Sequence, residues 1–274
     1  MSAKVKMIAL DMDGTTLTDD KEITSYTKEV LERAMEEGIV VLACTGRPAT
    51  AIPEAFQKLK GVRYAISSNG ARILDLEKDE VIFEALIPVA ETQKLLEIVS
   101  KYDTYREVFW NGIGYTSHEM FAHMSRYMSE YMYSYIRDTR VFVEDLKDCI
   151  IEKNQPCDKL HIAFADAKER QQAIQDIYDY DAYELGAALP MSIEITTPGV
   201  NKGTGILQLA TLLGIQKEEV MAVGDGMNDA SMLEVVGYPV AMGNAVDEIK
   251  QLAKYITATN NEDGVAKAIE KLAL

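Results

Sequence analysis

Two aspartates stand two residues apart in the stretch Asp11-Met12-Asp13-Gly14-Thr15. In an extended chain that spacing projects both carboxylates to one side. Gly14 permits the sharp turn that would end such a segment. The run before them, Val5-Lys6-Met7-Ile8-Ala9-Leu10, reads as a short buried strand. At the carboxyl end of a parallel strand, where α/β folds bind ligands, a carboxylate pair supports three chemistries. It can hold a hard cation, attack an electrophile, or move a proton. Taken alone, the pair reads more readily as solvated turn carboxylates.

Three further stretches change that balance. Thr45-Gly46-Arg47 ends the apolar run Ile39-Val40-Val41-Leu42-Ala43-Cys44, Asn201-Lys202-Gly203 opens a helical pattern, and Gly224-Asp225-Gly226-Met227-Asn228-Asp229 ends the run Val220-Met221-Ala222-Val223. Each is a weak signal by itself. In this order, the four stretches resemble the motifs of the haloacid-dehalogenase-like phosphohydrolases, from D-x-D-G-T to G-D-x-x-N-D. Within that superfamily the chain looks like the Cof-type sugar-phosphatase branch with a type-IIB cap. The resemblance implies roles. Asp11 is the nucleophile that attacks phosphorus, and Asp13 is the general acid that protonates the leaving oxygen and then serves as base for water. Met12, Thr45, Gly46, Lys202 and Asn228 bind phosphate, Asp11, Asp13 and Asp225 hold the metal, and Asp229 orients the outer metal shell or Lys202. One departure is Thr16, where the branch usually has leucine; the position packs behind the loop.

The physical case is separate. Hydrolysis of a phosphate monoester is among the slowest uncatalysed reactions, and a covalent intermediate divides it into two easier steps. Two carboxylates beside a dianion repel it, so a cation is required. Asp11 and Asp225 offer oxygen ligands and the Asp13 carbonyl offers a third, a set that suits Mg2+. A threonine hydroxyl and bare N–H groups at a strand end can cradle phosphate oxygens, and a lysine can hold them as a point charge.

Composition is that of an ordinary soluble globular protein. The chain has 274 residues, 47% hydrophobic and 26% charged, with a net charge of −16. That acidity argues against nucleic acid and against an anionic membrane surface. It also means that an anion site needs local help from a cation, a lysine or backbone N–H groups. No apolar stretch reaches membrane-spanning length, and the N-terminal residues lack a signal-peptide pattern. Cys44, Cys149 and Cys157 have no metal or redox spacing, so reduced thiols in a cytoplasmic protein are expected. Cys44 is expected to be a small buried apolar group.

The elements that must position these residues follow an α/β alternation. Helical spacing over Ser25 to Glu37 ends at Gly38, a natural C-terminal residue. A helix is expected over Ala51 to Lys60 and a strand over Tyr64-Ala65-Ile66-Ser67, with Asn69-Gly70 as a plain turn after it. Arg47 is expected either at a pocket mouth or paired with a carboxylate. The middle of the chain, rich in tyrosine, reads as a small α+β unit. Strands are expected at Tyr105 to Trp110 and Ile113 to Thr116 around the Asn111-Gly112 hairpin signal, and again at Leu160 to Phe164 and Ser192 to Thr196. Helices are expected at Pro88 to Tyr102 and Asp166 to Tyr178. The stripes Met124, Met128, Met132 and Tyr127, Tyr131, Tyr135 read as packing faces of one helix. Alternation resumes with a helix after Lys202, a strand at Val220 to Val223, and then a helix, a strand at Pro239 to Met242 and two more helices. The expected fold is therefore a doubly wound parallel (Rossmann-like) core sheet with an inserted α+β cap. The core covers 1–82 and 197–274, and the cap 83–196.

The expected function is Mg2+-dependent hydrolysis of small phosphorylated metabolites, sugar phosphates foremost, through an aspartyl-phosphate. Two alternatives stand: a phosphomutase or phosphotransferase of the same fold, or a non-catalytic module that binds metal or phosphate. Cap residues such as Glu107, Trp110, His118 and His161 could meet a sugar, but nothing ranks them over structural roles.

Overall fold

The structure is a computed structural model that describes residues 4–187 and 189–274; the side chain of Tyr131 lies outside the described residues. From the N-terminus run β1 (Met7–Leu10), α1 (Ser25–Glu36), β2 (Val40–Cys44), α2 (Glu54–Gln57), β3 (Tyr64–Ser67), β4 (Arg72–Asp75) and β5 (Glu80–Glu84). Next come α3 (Val89–Val99), β6 (Thr104–Trp110), β7 (Ile113–Ser117), α4 (His118–Ala122), α5 (Glu130–Thr139), β8 (Arg140–Val143) and α6 (Leu146–Lys153). They are followed by β9 (Lys159–Phe164), α7 (Ala167–Tyr180), β10 (Glu184–Gly186) and β11 (Ser192–Thr196). The chain ends with α8 (Lys202–Leu213), β12 (Val220–Gly224), α9 (Ala230–Val235), β13 (Tyr238–Ala241), α10 (Asp247–Leu252), β14 (Tyr255–Ile256) and α11 (Gly264–Leu272).

Two compact units result. The first holds the residues up to Arg47, Ala51–Glu84 and Asn201–Leu274; the second holds Pro48–Thr50 and Ala85–Val200. The first unit is built on a sheet of order β14-β13-β12-β1-β2-β3-β4-β5. Its strands from β14 to β3 are parallel, and β4 and β5 add an antiparallel edge. Every residue of β1 and β12 is buried, as continuous apolar runs covered on both faces must be. β1 lies between β12 and β2, with Ala9 opposite Ala222 on one side and Leu42 on the other. Strand order reverses at β1, so the carboxyl ends of β1, β2 and β12 converge where an open α/β sheet takes its ligand.

The second unit carries a six-stranded sheet of order β10-β11-β9-β6-β7-β8, antiparallel except for the β7–β8 pair. Asn111 and Gly112 both have positive φ, the turn that joins β6 to β7. One sheet face buries Val108, Leu160, Ile162 and Ile193 in a cluster with Leu95 and Leu96 of α3, Ile150 of α6 and Ile177 of α7. Alternation places Glu107, Lys159, His161 and Glu194 on the other face. There Glu107 accepts from Arg140 Nε at 2.6 Å and pairs with His161 Nδ1 at 2.8 Å, while Lys159 pairs with Glu194. Burial pushes the Glu107 carboxyl up, but Arg140 and His161 overcome it and hold the group at about 2.

Several local expectations need correction. The helix expected over Ala51 to Lys60 is a 3-10 turn at Ala49–Ala51 followed by the short α2. Pro53 lacks an N–H and disfavours helix in the residue before it. The methionine and tyrosine stripes do not share one helix. A 3-10 turn at Met124–Arg126 ends before Ser129, whose extended backbone starts α5 afresh. Met124 nevertheless packs with Tyr105, Ile136 and Ala163. β4, β5, β8, β10 and β14 were not expected; they are short, and most are partly exposed edge segments.

Candidate active site

Asp11 is the first residue beyond β1. Its N–H donates to the Val223 carbonyl of the neighbouring strand at 3.1 Å, which ties it to β12. Its own carbonyl accepts the Thr16 hydroxyl at 2.6 Å and the Thr16 N–H at 3.3 Å, so the chain folds back over Asp11. Thr16 is buried there, behind the loop as the sequence suggested. Gly14 closes the turn with φ +75°, and a Cβ at that position would strike the Asp225 carboxylate. Thr15 Oγ1 donates to Asp225 Oδ1 at 2.7 Å, joining the first and fourth sequence stretches directly.

Lys202 sits at the centre. Asn201 caps α8: its side chain accepts from Thr204 N, and the Thr204 hydroxyl accepts from Asn201 N, each at 3.0 Å. That places Lys202 in the first helical turn with its side chain fully buried. Nζ donates to Asp11 Oδ1 and to Asp229 Oδ1, both at 2.6 Å. The other Asp229 oxygen accepts the N–H groups of Asp225 and Gly226 at 2.8 and 3.0 Å. Both oxygens of Asp229 are thus engaged in holding Lys202 and the β12 loop.

Charge is uneven here. Three carboxylates, Asp11, Asp225 and Asp229, lie with ligand oxygens within 4.8 Å of one another, and one ammonium serves them. Burial pushes Asp11 up to about 8, aided by Asp229 and Asp225 and opposed by Lys202. Burial likewise lifts Asp225 to about 6. For Lys202 burial acts against the charged form, but Asp11 and Asp229 outweigh it and keep the ammonium protonated. A divalent cation at the Asp11 and Asp225 oxygens would relieve this crowding. The donor set is made of hard oxygens, and Asp11 Oδ2 and Asp225 Oδ2 have no protein partner among the described residues, so the residues present fit such an ion.

Cation binding at these oxygens would depend on pH with a definite sign. Asp225 and Asp11 hold protons in the native state at pH values where the unfolded chain has lost them. Stability of the cation-free protein therefore falls as pH rises from about 4, through about 6 for Asp225 and on through about 8 for Asp11. A bound cation must displace those protons, so its affinity rises over the same interval, by up to about tenfold per pH unit and proton. The melting temperature should gain more from added Mg2+ near pH 7.5 than near pH 5. An equal gain at both would remove Asp225 and Asp11 as its ligands.

The remaining sequence candidates are close by. Thr45 is buried; its hydroxyl oxygen accepts from Arg47 N at 3.1 Å and keeps its proton to donate. Met12 has its side chain in the core and its carbonyl bonded to Leu17 N, so only its N–H could meet an anion. Gly46 lies in the loop between Thr45 and Arg47, and Asn228 in the 3-10 turn at Met227–Asp229. Arg47 proves to be paired with a carboxylate: Nε donates to Asp13 Oδ2 at 2.6 Å and Nη2 to Asp13 Oδ1 at 2.8 Å. Lys21 Nζ adds a third contact, to Oδ1, at 2.9 Å. Burial raises Asp13, but these two cations outweigh it and bring the carboxyl down to about 2.

Some contributors were not foreseen. Ser68, Asn69 and Gly70 form a buried run of positive φ, where a plain turn was expected. The N–H groups of Ser68 and Asn69 donate to the Arg47 and Thr45 carbonyls, so this run braces the second stretch. A Cβ on Gly70 would meet the Asn201 carbonyl. Asn244 donates to the Gly14 carbonyl at 2.8 Å and Asn260 to the Leu17 carbonyl at 3.0 Å. Both follow parallel strands at their carboxyl ends, which is the signal that could have found them. Cys44 is buried and pushed up to about 12 by that burial, so it stays a thiol beside the Lys202 carbonyl.

The model of the haloacid dehalogenase-like hydrolase family matches residues 8–269. The chain belongs to this family. The hydrolase is 30% identical over 270 residues to the 5-amino-6-(5-phospho-D-ribitylamino)uracil phosphatase YcsE of Bacillus subtilis, covering 98% of this chain and 96% of that one. It is 29% identical to the pyridoxal phosphate phosphatase YbhA of Escherichia coli, over 96% of this chain and 97% of the relative. Among solved structures, a HAD subclass IIB sugar phosphatase superposes with a TM-score of 0.81 at 27% identity, covering 97% of this chain and 98% of that one. The hydrolase is a Cof-type phosphatase, acting on phosphoric monoesters. No helix among the described residues is long and apolar enough to cross a membrane.

Proposed function

We propose that this hydrolase removes phosphate from small phosphorylated metabolites, sugar phosphates foremost, through an aspartyl-phosphate on Asp11 and with Mg2+ as cofactor. The observation that carries the reading is the fully buried Lys202 ammonium held between Asp11 and Asp229 at the convergence of β1 and β12. A lysine so placed neutralises the nucleophile's surroundings and presents positive charge to the phosphate oxygens. Thr45, Gly46, Asn228 and the Met12 N–H complete the phosphate cradle. Mg2+, held by Asp11, Asp225 and the Asp13 carbonyl, would supply charge to the phosphate oxygens when bound.

Asp11 attacks phosphorus while Asp13 gives a proton to the departing oxygen. Asp13 then takes a proton from the water that frees Asp11. A carboxyl lowered to about 2 rests as a carboxylate, which suits the second of these steps. The segment 83–196 takes the part of a type-IIB cap, the element that sets substrate choice. The related phosphatases for ribitylamino-uracil phosphate, pyridoxal phosphate and sugar phosphates all free a phosphate from a small polar organic body, which supports a substrate of that size. Three free, buried cysteines accord with work in the reducing cytoplasm.

A panel of sugar phosphates, nucleotides, flavin phosphate and pyridoxal phosphate, assayed for free phosphate with and without Mg2+, tests this. Turnover should be fastest on a sugar or sugar-alcohol phosphate and should collapse with chelator. Best turnover on a nucleotide, or full turnover in chelator, would reject the substrate class or the cofactor respectively.

A further inference from the structure

Asp13 is half-buried on the turn after β1, its side chain 43% accessible, where a carboxylate would ordinarily rotate freely. Here it does not. The Arg47 guanidinium approaches edge-on and binds both oxygens, Nε to Oδ2 and Nη2 to Oδ1. Such a fork fixes the plane of the carboxylate as well as its place. Arg47 is itself held on its remaining sides. Nη1 donates to the Ala51 carbonyl at 2.9 Å, its N–H donates to Thr45 Oγ1, and its carbonyl accepts from Ser68 N at 2.9 Å. The brace therefore runs from the β2 and β3 loops to a side chain on the β1 loop. Lys21, more exposed, touches Oδ1 alone and adds charge without a second direction.

We propose that Arg47 is a positioning residue for the hydrolase, its fork aiming Asp13 so that the remaining lone pair of Oδ2 carries the proton in both half-reactions. This rests on the reading of Asp13 as general acid and base. Among the described residues Oδ1 already accepts from two cations, whereas Oδ2 accepts from Arg47 Nε alone. In the first half, Oδ2 gives to the ester oxygen the proton left on it by the preceding turnover, or drawn from solvent at the first, as the P–O bond breaks and that oxygen keeps the bonding pair. In the second, Oδ2 takes a proton from water as the water oxygen bonds phosphorus and Asp11 departs as carboxylate. A misaimed carboxylate slows both, and slows the first most where the leaving oxygen is basic.

The test uses esters of graded leaving ability, phenyl phosphate and nitrophenyl phosphate, in kcat/KM, which reports the steps through loss of the alcohol. The variants are Arg47→Ala, Arg47→Lys, Asp13→Asn and the double change Asp13→Asn/Arg47→Ala. Arg47→Ala should lose roughly tenfold more on phenyl than on nitrophenyl phosphate, within the ~10²- to 10⁴-fold that proton transfer contributes. Arg47→Lys should show the same preference, because an ammonium cannot fork a carboxylate. In the Asp13→Asn background, removing Arg47 should cost little more. Added guanidinium ion should restore Arg47→Ala preferentially on phenyl phosphate. Equal losses on both esters with a raised KM would show Arg47 holding phosphate instead, and additive losses in the double variant would also overturn the proposal. If Asp13→Asn treats both esters alike while Arg47→Ala still discriminates, the Asp13 role itself is what fails, and the proposal falls with it.

Discussion

Asp11→Asn should release no measurable phosphate from an aryl phosphate yet melt at or above the temperature of the parent protein. The loss expected for removing a nucleophile is ~10⁴-fold or more, or ~5 kcal/mol of transition-state stabilisation. Stability should move the other way because of the charge count. Asp11 is one of three clustered carboxylates served by one buried ammonium, and it is pushed up accordingly. An asparagine keeps an oxygen for Lys202 to donate to and removes one unit of repulsion. The change should raise the melting point most near neutral pH in the absence of Mg2+, where the native carboxyl is under greatest pressure to hold its proton. A second readout is covalent. The parent protein, quenched in acid during turnover, should carry phosphorus bound to protein, and the variant none. Sustained turnover in Asp11→Asn would exclude the nucleophile assignment. Lost turnover together with a marked fall in melting temperature would instead mark Asp11 as a structural partner of Lys202.

How much of this could be read from the chain depended on whether the cause was local. The apolar runs before Asp11 and Thr45 announce buried parallel strands, and they are strands β1 and β2. The hairpin at Asn111-Gly112 is as local a signal, and both residues have the backbone it requires. The neighbouring of β1 and β12, separated by most of the chain, has no local sign. Lys202 illustrates the limit. A lysine at a helix start is ordinarily solvated, and its burial here is tertiary. Gly203 and Gly205 let α8 press against the Ser231 carbonyl and the Gly70 backbone, where a Cβ would collide or crowd. Arg47 was open between two roles, since its partner is 34 residues away and faces it only once β1 and β2 lie side by side. Asn244 and Asn260 carried no motif at all. Their contribution is to hold two carbonyls of the first loop, a task that any amide in the right place performs and that no spacing rule encodes. The methionine and tyrosine stripes failed for the converse reason: local helical spacing was present, but Ser129 interrupts it.

The same charge count makes Lys202→Met the most damaging single change expected in this hydrolase. Its ammonium is fully buried, and so is the Asp229 carboxylate it touches. Methionine fills nearly the same volume but leaves Asp11 and Asp229 facing each other without a cation. Breaking one side of a buried ion pair typically costs ~3–5 kcal/mol, a large share of the stability of any domain. The deficit should depend on pH with a fixed sign. Without Lys202 the Asp11 carboxyl would be raised further, so from about pH 4 up to that raised value the native state would bind more protons than the unfolded chain. The penalty is then large near neutrality and fades as pH falls toward the lower of those values. Urea midpoints of parent and variant should therefore lie far apart near pH 7.5 and converge near pH 5. Adding Asp229→Asn to Lys202→Met should recover much of the lost stability, since a neutral amide no longer opposes Asp11, while activity stays lost because the phosphate has still lost its ammonium. A variant equally weakened at both pH values would point to lost packing of the lysine stem in place of unbalanced charge. A variant that kept its turnover would show that the phosphate does not depend on Lys202, and the proposed hydrolysis would then have to be rebuilt around another cation.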